Sequence, residues 1–195
     1  MTENYYSEHY IISTLPKEFT WYKYITFDTE ALRYAMPKVE YQKFYNVDFY
    51  DGENHYYSEK IDDVIKIISN LQKKYKKITL FAHNMSYDLR ITHLLKEIIQ
   101  NKFLGLYNSA RLLDKIIFVK FADNHRHNII QFVDSMNYFN ASLSELSSLI
   151  SDKKINEENY DLPPKKWNYK LREEGKDRVQ KDTEILYTVL RNFYE

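Results

Sequence analysis

Cysteine is absent from the 195 residues of this chain, and glycine occurs only three times. The absence of cysteine excludes disulfides, thiolate metal ligands and a cysteine nucleophile. The scarcity of glycine restricts the loops that bind phosphate through closely approaching backbone N–H groups. Neither GxGxxG nor a Walker A motif is present, so the sequence offers no glycine-loop nucleotide site.

An excess of charge of either sign is also missing, because 28 basic residues balance 28 acidic ones. No field of the whole molecule attracts a polyanion, and any contact with nucleic acid must use a local patch. The sequence has no basic N-terminal segment followed by an apolar one, and no apolar run of bilayer length. We therefore predict a soluble, intracellular protein.

The length predicts one domain over residues 1–195, with a core to which 19 tyrosines and 11 phenylalanines contribute large apolar groups. Apolar runs alternate with segments of helical periodicity, which indicates an α/β fold. Strands are predicted at 24–28, 78–82, 115–122 and 128–133, with a hairpin within 38–57. Helices are predicted from Ser58 to the basic run 73–77 and at 86–100, 143–150 and 176–194, with a loop at 151–166.

Acidic residues follow two of the predicted strands. Asp28 and Glu30 come where the strand 24–28 stops, and side chains two residues apart in a strand share one face. Asn84 and Asp88 lie on either side of the junction between the next strand and its helix, and Asp182 lies in the last helix. We expect these acids to converge on one site.

Each acidic segment also has an ordinary explanation. Asp28 and Glu30 could be solvated in a surface turn, Asn84 or Ser86 could cap a helix, and Asp182 could be a surface acid. Carboxylates about 4 Å apart repel by roughly 1 kcal/mol per pair in water, and hard divalent cations reverse that sign. Two such ions can activate water and stabilise the leaving oxygen of a phosphodiester, so the combined pattern predicts metal-dependent cleavage.

The order of these residues resembles the exonuclease motifs of the DEDD superfamily of 3′–5′ exonucleases. Phe27-Asp28-Thr29-Glu30 resembles the first motif, and Phe81-Ala82-His83-Asn84-Met85-Ser86-Tyr87-Asp88 resembles the second. The His-Asn-x-x-aromatic-Asp form is most similar to the proofreading domain of protein-primed family-B DNA polymerases from phages and linear plasmids. Asp134-Ser135-Met136 is similar to the Ser-Leu element that holds the primer end there, with Met in place of Leu.

The resemblance covers about residues 20–190 and implies a ribonuclease H-like fold, a mixed central sheet flanked by helices. It implies 3′–5′ exonuclease activity on single-stranded DNA ends in DNA replication, with two Mg²⁺ or Mn²⁺ ions and a virus or mobile element as the source. The implied ligands of the first ion are Asp28, Glu30 and Asp182, and those of the second are Asp28 and Asp88. The residues implied to contact the DNA strand are His83, Asn84, Tyr87 and Ser135.

The third motif departs from the family pattern. The family places Tyr four residues before the last Asp, or His five before it, where this sequence has Arg178 and Asp177. Arginine stays protonated and cannot act as a base, although it can bind phosphate or stabilise negative charge. One alternative is therefore a catalytically weakened exonuclease-like domain that binds nucleic acid or a replication protein. Another is an exoribonuclease, since contacts at the 2′-position decide between the sugars.

Three basic segments have alternative interpretations. Lys73–Lys77 could contact nucleic acid, but lysines at a helix C-terminus are also favoured by the helix dipole. His125–His127 forms a polar hairpin tip that is more simply explained as a solvated turn. Lys165–Lys170 mixes basic and aromatic residues as single-strand binders do, although Trp167 could equally anchor a loop.

Overall fold

The structure is a computed structural model that describes residues 22–36, 39–100, 104–112, 115–150 and 169–194. Its strands are β1 (Lys23–Met36), β2 (Val39–Tyr50), β3 (Lys77–Ala82), β4 (Gly105–Leu112), β5 (Lys115–Ala122) and β6 (Ile129–Asp134). Its helices are α1 (Ile61–Tyr75), α2 (Met85–Thr92), α3 (Leu94–Gln100), α4 (Leu143–Leu149) and α5 (Tyr169–Tyr194), with a short 3₁₀ helix at Ser135–Asn137.

The six strands form one sheet in the order β2-β1-β3-β6-β5-β4. The central strands β1, β3 and β6 are parallel, whereas β2 is antiparallel to β1, and β5 and β4 follow β6 in antiparallel order. The predicted mixed central sheet is therefore confirmed. Because the C-terminal ends of β3 and β6 lie at the same edge, the segments that follow them are neighbours.

The first strand is longer than predicted and does not stop at the acids. Pairing with β3 ends at Thr26 and Phe81, but pairing with β2 continues to Met36, with a β-bulge between Glu30 and Ala31. Beyond the end of β3, the backbone of β2 continues to supply hydrogen bonds to β1, so β1 continues through polar residues. Asp28 and Glu30 therefore lie inside a strand, next to the point where β3 ends.

The sheet has an apolar cluster on each face. Ile25 and Phe27 of β1 point to the face covered by α1, α2 and α3, and Phe81 of β3 points to the face covered by α4 and α5. Successive side chains of a strand alternate between faces, so Thr26, Asp28 and Glu30 point toward the α5 side. The acids of β1 thus face the helix that carries Asp182.

Several predicted boundaries were wrong. The helix predicted from Ser58 begins at Ile61, and the helix predicted over 86–100 breaks at His93, whose φ of 52° lies in the left-handed region. Strand β4 was missed because residues 105–109 are all exposed and show no apolar alternation. The last helix begins earlier than predicted. The loop predicted at 151–166 lies outside the described residues, as do Lys165 to Asn168 of the third basic segment.

None of the helices among the described residues combines the length and the apolar character needed to span a bilayer.

Candidate metal centre

Three acids from two distant segments meet on the α5 face of the sheet. Asp28 and Glu30 of β1 and Asp182 of α5 each offer one carboxylate oxygen, and these oxygens all lie within 4.8 Å of one another. Glu30 and Asp182 are buried, whereas Asp28 is half-buried and so leaves the group open on one side. Such a set of oxygen donors suits a hard divalent cation such as Mg²⁺ or Mn²⁺.

The position of Asp182 is set by its neighbour Thr183. The backbone carbonyl of Thr183 accepts a hydrogen bond from Thr26 Oγ1 of β1 at 2.8 Å, and the Thr183 hydroxyl lies 2.8 Å from Asp48 Oδ2 of β2. Both Thr26 and Thr183 are fully buried. Because these bonds join α5 to two strands at once, they hold Asp182 beside the acids of β1.

Arg178 lies one helical turn before Asp182 and points into the same acidic group. Its Nε is 2.9 Å from Glu30 Oε1 and 4.0 Å from Asp182 Oδ2, and its side chain is only 7% exposed. A buried guanidinium between carboxylates offsets the repulsion that would otherwise destabilise the cluster. The residue that occupies the position of the family's Tyr is thus an internal counter-ion of the acids.

Asp88 reaches β1 from α2, on the other face of the sheet. Its Oδ1 accepts hydrogen bonds from the backbone N and the Oγ1 of Thr29, at 3.1 and 2.6 Å. Burial raises the pKa of Asp88 to about 8, even though the bonds from Thr29 act in the opposite direction. Asp88 therefore contacts Thr29, the residue between Asp28 and Glu30. It is not one of the three acids described above, and its role as a metal ligand stays a prediction.

The ends of β3 and β6 are joined by Asp134. Its carboxylate accepts hydrogen bonds from the backbone N of Asn84, Met85 and Met136, at 3.2, 3.1 and 3.0 Å. Asp134 thereby caps α2 from a neighbouring strand and satisfies N–H groups at the start of the helix. The alternative in which the Asn84 side chain caps this helix is wrong, because Asn84 makes no side-chain cap bond and its own φ is 69°.

Three of the four residues predicted to contact the DNA strand are at least partly accessible at the edge of the sheet where β3 and β6 end. Asn84 is exposed, and His83 and Tyr87 are half-buried, with the guanidinium of Arg90 5.7 Å from the Tyr87 ring centre. Ser135 is fully buried instead. Its Oγ donates to the Ala82 carbonyl at 3.1 Å and lies 2.9 Å from His83 Nδ1, so the hydroxyl proton is already used and Nδ1 carries the hydrogen. Ser135 thus orients His83.

A second polar group, which the sequence interpretation missed, lies beside the acids. Asp48 of β2 is the cross-strand partner of Asp28 and is fully buried. Its Oδ2 is 2.7 Å from His55 Nδ1, and His55 Nε2 is 3.1 Å from Glu184 Oε1 of α5. The signal was the alternation of polar Asn46 and Asp48 with buried Val47 and Phe49, which marks a polar face toward α5.

These contacts make the stability of the protein pH-dependent. Burial disfavours the charged imidazole, but the bonds to Asp48 and Glu184 outweigh it and raise the pKa of His55. The folded state therefore binds more protons than the unfolded state above the ordinary histidine pKa of about 6.5. Stability from this group is complete below that pH and is lost as pH rises through the folded pKa.

We expect His55→Gln to flatten this pH dependence. Urea unfolding in EDTA between pH 6 and 9 should show wild-type stability falling with pH and that of the variant falling less. His127→Gln, at an exposed hairpin tip, is the matched control and should follow the wild type. If the His55→Gln and wild-type curves stay parallel, the ion pairs of His55 do not contribute to stability.

Comparisons with known proteins support the fold. No protein-family model and no curated protein matches the sequence. The solved structure of phi29 DNA polymerase with primer-template DNA and incoming nucleotides matches with a TM-score of 0.63 at 11% identity, over 90% of this chain and 32% of the polymerase. The same polymerase with single-stranded DNA matches with a TM-score of 0.58 at 10% identity, over 89% and 32%. The chain spans about a third of that polymerase, and the α/β, ribonuclease H-like fold is confirmed.

Proposed function

We propose that this protein is a metal-dependent 3′–5′ exonuclease that hydrolyses single-stranded DNA from its ends. The observation that carries the proposal is that Asp28 and Glu30 meet Asp182, which is distant from both in sequence, with carboxylate oxygens within 4.8 Å of one another. These are three of the four acids that the DEDD motifs single out. The fold similarity to part of a DNA polymerase supports the same interpretation.

The donor set fits divalent cations. Carboxylates are hard oxygen ligands, and without a cation the protein uses the buried Arg178 to offset their charge. Asp28, Glu30 and Asp182 would hold one Mg²⁺ or Mn²⁺, and Asp28 and Asp88 would hold a second. Bound ions supply an activated water and stabilise charge on the leaving oxygen.

The protein's own residues would position the end of the strand. Two side chains lie just after the end of β3, next to the acids of β1. They are His83, which Ser135 holds, and the exposed Asn84. The backbone N–H groups of Asn84 and Met85 already bond to Asp134, so side chains rather than the helix terminus would contact the phosphate. The Tyr87 ring, with Arg90 next to it, offers a stacking surface for a base.

The second candidate function is binding without cleavage. Arg178 occupies the position where the family has a Tyr that orients the attacking water, and its ion pair with Glu30 engages a proposed metal ligand. A weakened exonuclease-like domain of this kind would bind nucleic acid or a replication protein. Exoribonuclease activity is the third possibility, because the acids act on phosphate and do not contact the sugar.

The test is digestion of 5′-labelled single-stranded DNA with Mn²⁺ or Mg²⁺. We expect a ladder of products shortened from the 3′ end, no products in EDTA, and slower digestion of duplex DNA. A matched RNA oligonucleotide in the same assay discriminates DNA from RNA. Absence of a ladder, from protein with a cooperative unfolding transition, would reject catalysis and favour the binding function. Cleavage of circular single-stranded DNA would indicate an endonuclease instead.

We also propose that residues 1–195 act as a single exonuclease-like domain in DNA replication, with a virus or mobile element as the source. The resemblance of the motifs to protein-primed family-B polymerases supports this assignment.

A further inference from the structure

A row of alternating cations and aromatic rings lies at the end of the sheet where β1 and β3 begin. Lys77 Nζ lies 5.7 Å and Lys120 Nζ 5.5 Å from the centre of the Tyr22 ring. Lys120 Nζ also lies 5.5 Å from the Tyr107 ring, and the Arg126 guanidinium lies 4.5 Å from the same ring. Each ring is thus shared by two cations. We call these five residues the basic edge.

The basic edge lies at the opposite end of the strands from the acids. Tyr22 directly precedes β1, and Lys77 is the first residue of the parallel strand β3. Lys120 lies near the end of β5, which runs antiparallel to β6 and therefore ends at this same edge. At about 3.3 Å per residue, Tyr22 is roughly 20 Å along β1 from Asp28, so the two sites are separate.

Local charge at the basic edge is positive, although the chain as a whole is neutral. Within the described part of the chain, Lys77, Lys120 and Arg126 form no ion pair with a carboxylate. The nearby carboxylate of Asp123 instead accepts hydrogen bonds from the backbone N of His127 and Asn128, at 2.8 and 3.1 Å. Among the described residues, the contacts of these three cations are therefore with the rings, which leaves their charge able to attract an anion.

The simple explanations of these residues apply only to each segment alone. Helix-dipole stabilisation accounts for lysines around the end of α1, and solvation accounts for a charged turn at Arg126. Neither explains why lysines from two strands converge on one tyrosine, or why a third cation from the turn shares a second tyrosine with them. The Tyr107 ring is also 44% exposed, on the edge strand β4.

We propose that the basic edge binds single-stranded nucleic acid at a site distinct from the acidic centre. The three cations would contact successive phosphates, and the rings of Tyr107 and Tyr22 would stack against bases. A single strand fits better than a duplex because its bases are unstacked and present their faces to the rings. This site requires neither cleavage nor a metal ion, and it would retain a strand whose end lies elsewhere on the protein.

The experiment measures binding of a fluorescein-labelled 20-nucleotide oligo-dT by anisotropy in EDTA over a range of salt concentrations. The triple variant Lys77→Gln, Lys120→Gln and Arg126→Gln should bind about tenfold more weakly. Its salt slope should fall by about 2, because each phosphate that a cation neutralises on a single strand contributes about 0.7 to that slope. The control variant Lys60→Gln, Lys66→Gln and Lys96→Gln removes the same charge from exposed positions elsewhere and should keep the wild-type slope.

The rings are tested separately with Tyr107. Tyr107→Ala should weaken single-strand binding at least about fivefold, because one base would no longer stack on a ring, and should change duplex binding little. Tyr107→Phe keeps the ring and should bind like the wild type. Unfolding transitions of all variants establish that they are folded.

Three results would overturn the proposal: equal reductions in affinity for the two triple variants, equal effects of Tyr107→Ala on single strand and duplex, or tighter binding of poly-glutamate than of oligo-dT. Because binding is measured without metal, its outcome is separate from that of the exonuclease assay. Weaker binding by the basic-edge variant of a protein that cannot cleave would support this site and reject the exonuclease. If the protein cleaves DNA but its basic edge does not bind oligo-dT, the exonuclease is supported and this second site is rejected.

Discussion

Asp28→Ala should reduce cleavage of single-stranded DNA by about 10³-fold or more, because several kcal/mol of metal-derived stabilisation of the reaction would be removed. Asp28 is the acid that both proposed ions would share. It also lies within 4.8 Å of Glu30 and Asp182, and its cross-strand partner is Asp48. Its removal therefore relieves repulsion in the metal-free protein at the same time as it removes a ligand.

The isosteric variant Asp28→Asn separates these two effects. We expect it to be inactive and, in EDTA, at least as stable as the wild type, with a smaller rise in melting temperature when Mn²⁺ is added. Asp62→Asn, an exposed acid in the first turn of α1, is the control and should retain activity and the full response to Mn²⁺. Activity that persists in Asp28→Ala would reveal a contaminating nuclease. A full response to Mn²⁺ in Asp28→Asn would place the cation elsewhere.

Replacement of Arg178 should have opposite effects on stability and on metal binding. Its guanidinium forms a buried ion pair with Glu30, so Arg178→Gln should lower the free energy of unfolding of the metal-free protein by about 3 kcal/mol. Mn²⁺ should then raise the melting temperature of the variant more than that of the wild type, because the cation takes over the charge that arginine neutralised. Differential scanning fluorimetry with and without Mn²⁺ measures both effects.

Arg178→Tyr introduces the side chain that the DEDD exonuclease motifs, which this sequence resembles, carry at this position. We expect it to increase cleavage about 10²-fold, the lower range for a group that positions or deprotonates an attacking water. Arg172→Gln is the matched control, because Arg172 lies on the same helix and pairs with Glu59, away from the acids. If Arg178→Tyr instead decreases cleavage, arginine has its own catalytic role, such as a contact to the phosphate. If neither cleavage nor metal response changes, the ion pair does not control the centre.

Much of the fold could be predicted because its signals are local. The apolar runs that became β3, β5 and β6, and the helical periodicity that became α1 and α4, depend on neighbours in the chain. The length of β1 depends instead on hydrogen bonds to β2, the next strand along the chain, rather than on the apolar character of its own residues. The backbone of β2 carries β1 past the acids, and nothing in residues 28–36 reveals that partner.

The acidic centre divides in the same way. The residue types and their order were sufficient to select Asp28, Glu30 and Asp182, because two of them share a strand face and the third falls in a recognisable helix. The sequence also shows a positive charge at Arg178, but only the packing of α5 across β1 and β2 turned that charge toward Glu30. Which acid faces which group depends on how helix and sheet are rotated against each other.

By itself the amino-acid sequence determined the α/β alternation, the three acids that meet and the presence of Arg178 four residues before Asp182, since each follows from spacing along the chain. Only the tertiary structure decided that Asp88 bonds to Thr29, that Asp134 caps α2 and that Asp48 joins His55. It also decided that lysines from separate strands share a tyrosine at the basic edge. Most of these contacts join residues far apart in sequence, and the geometry of all of them is set by sheet register and helix packing.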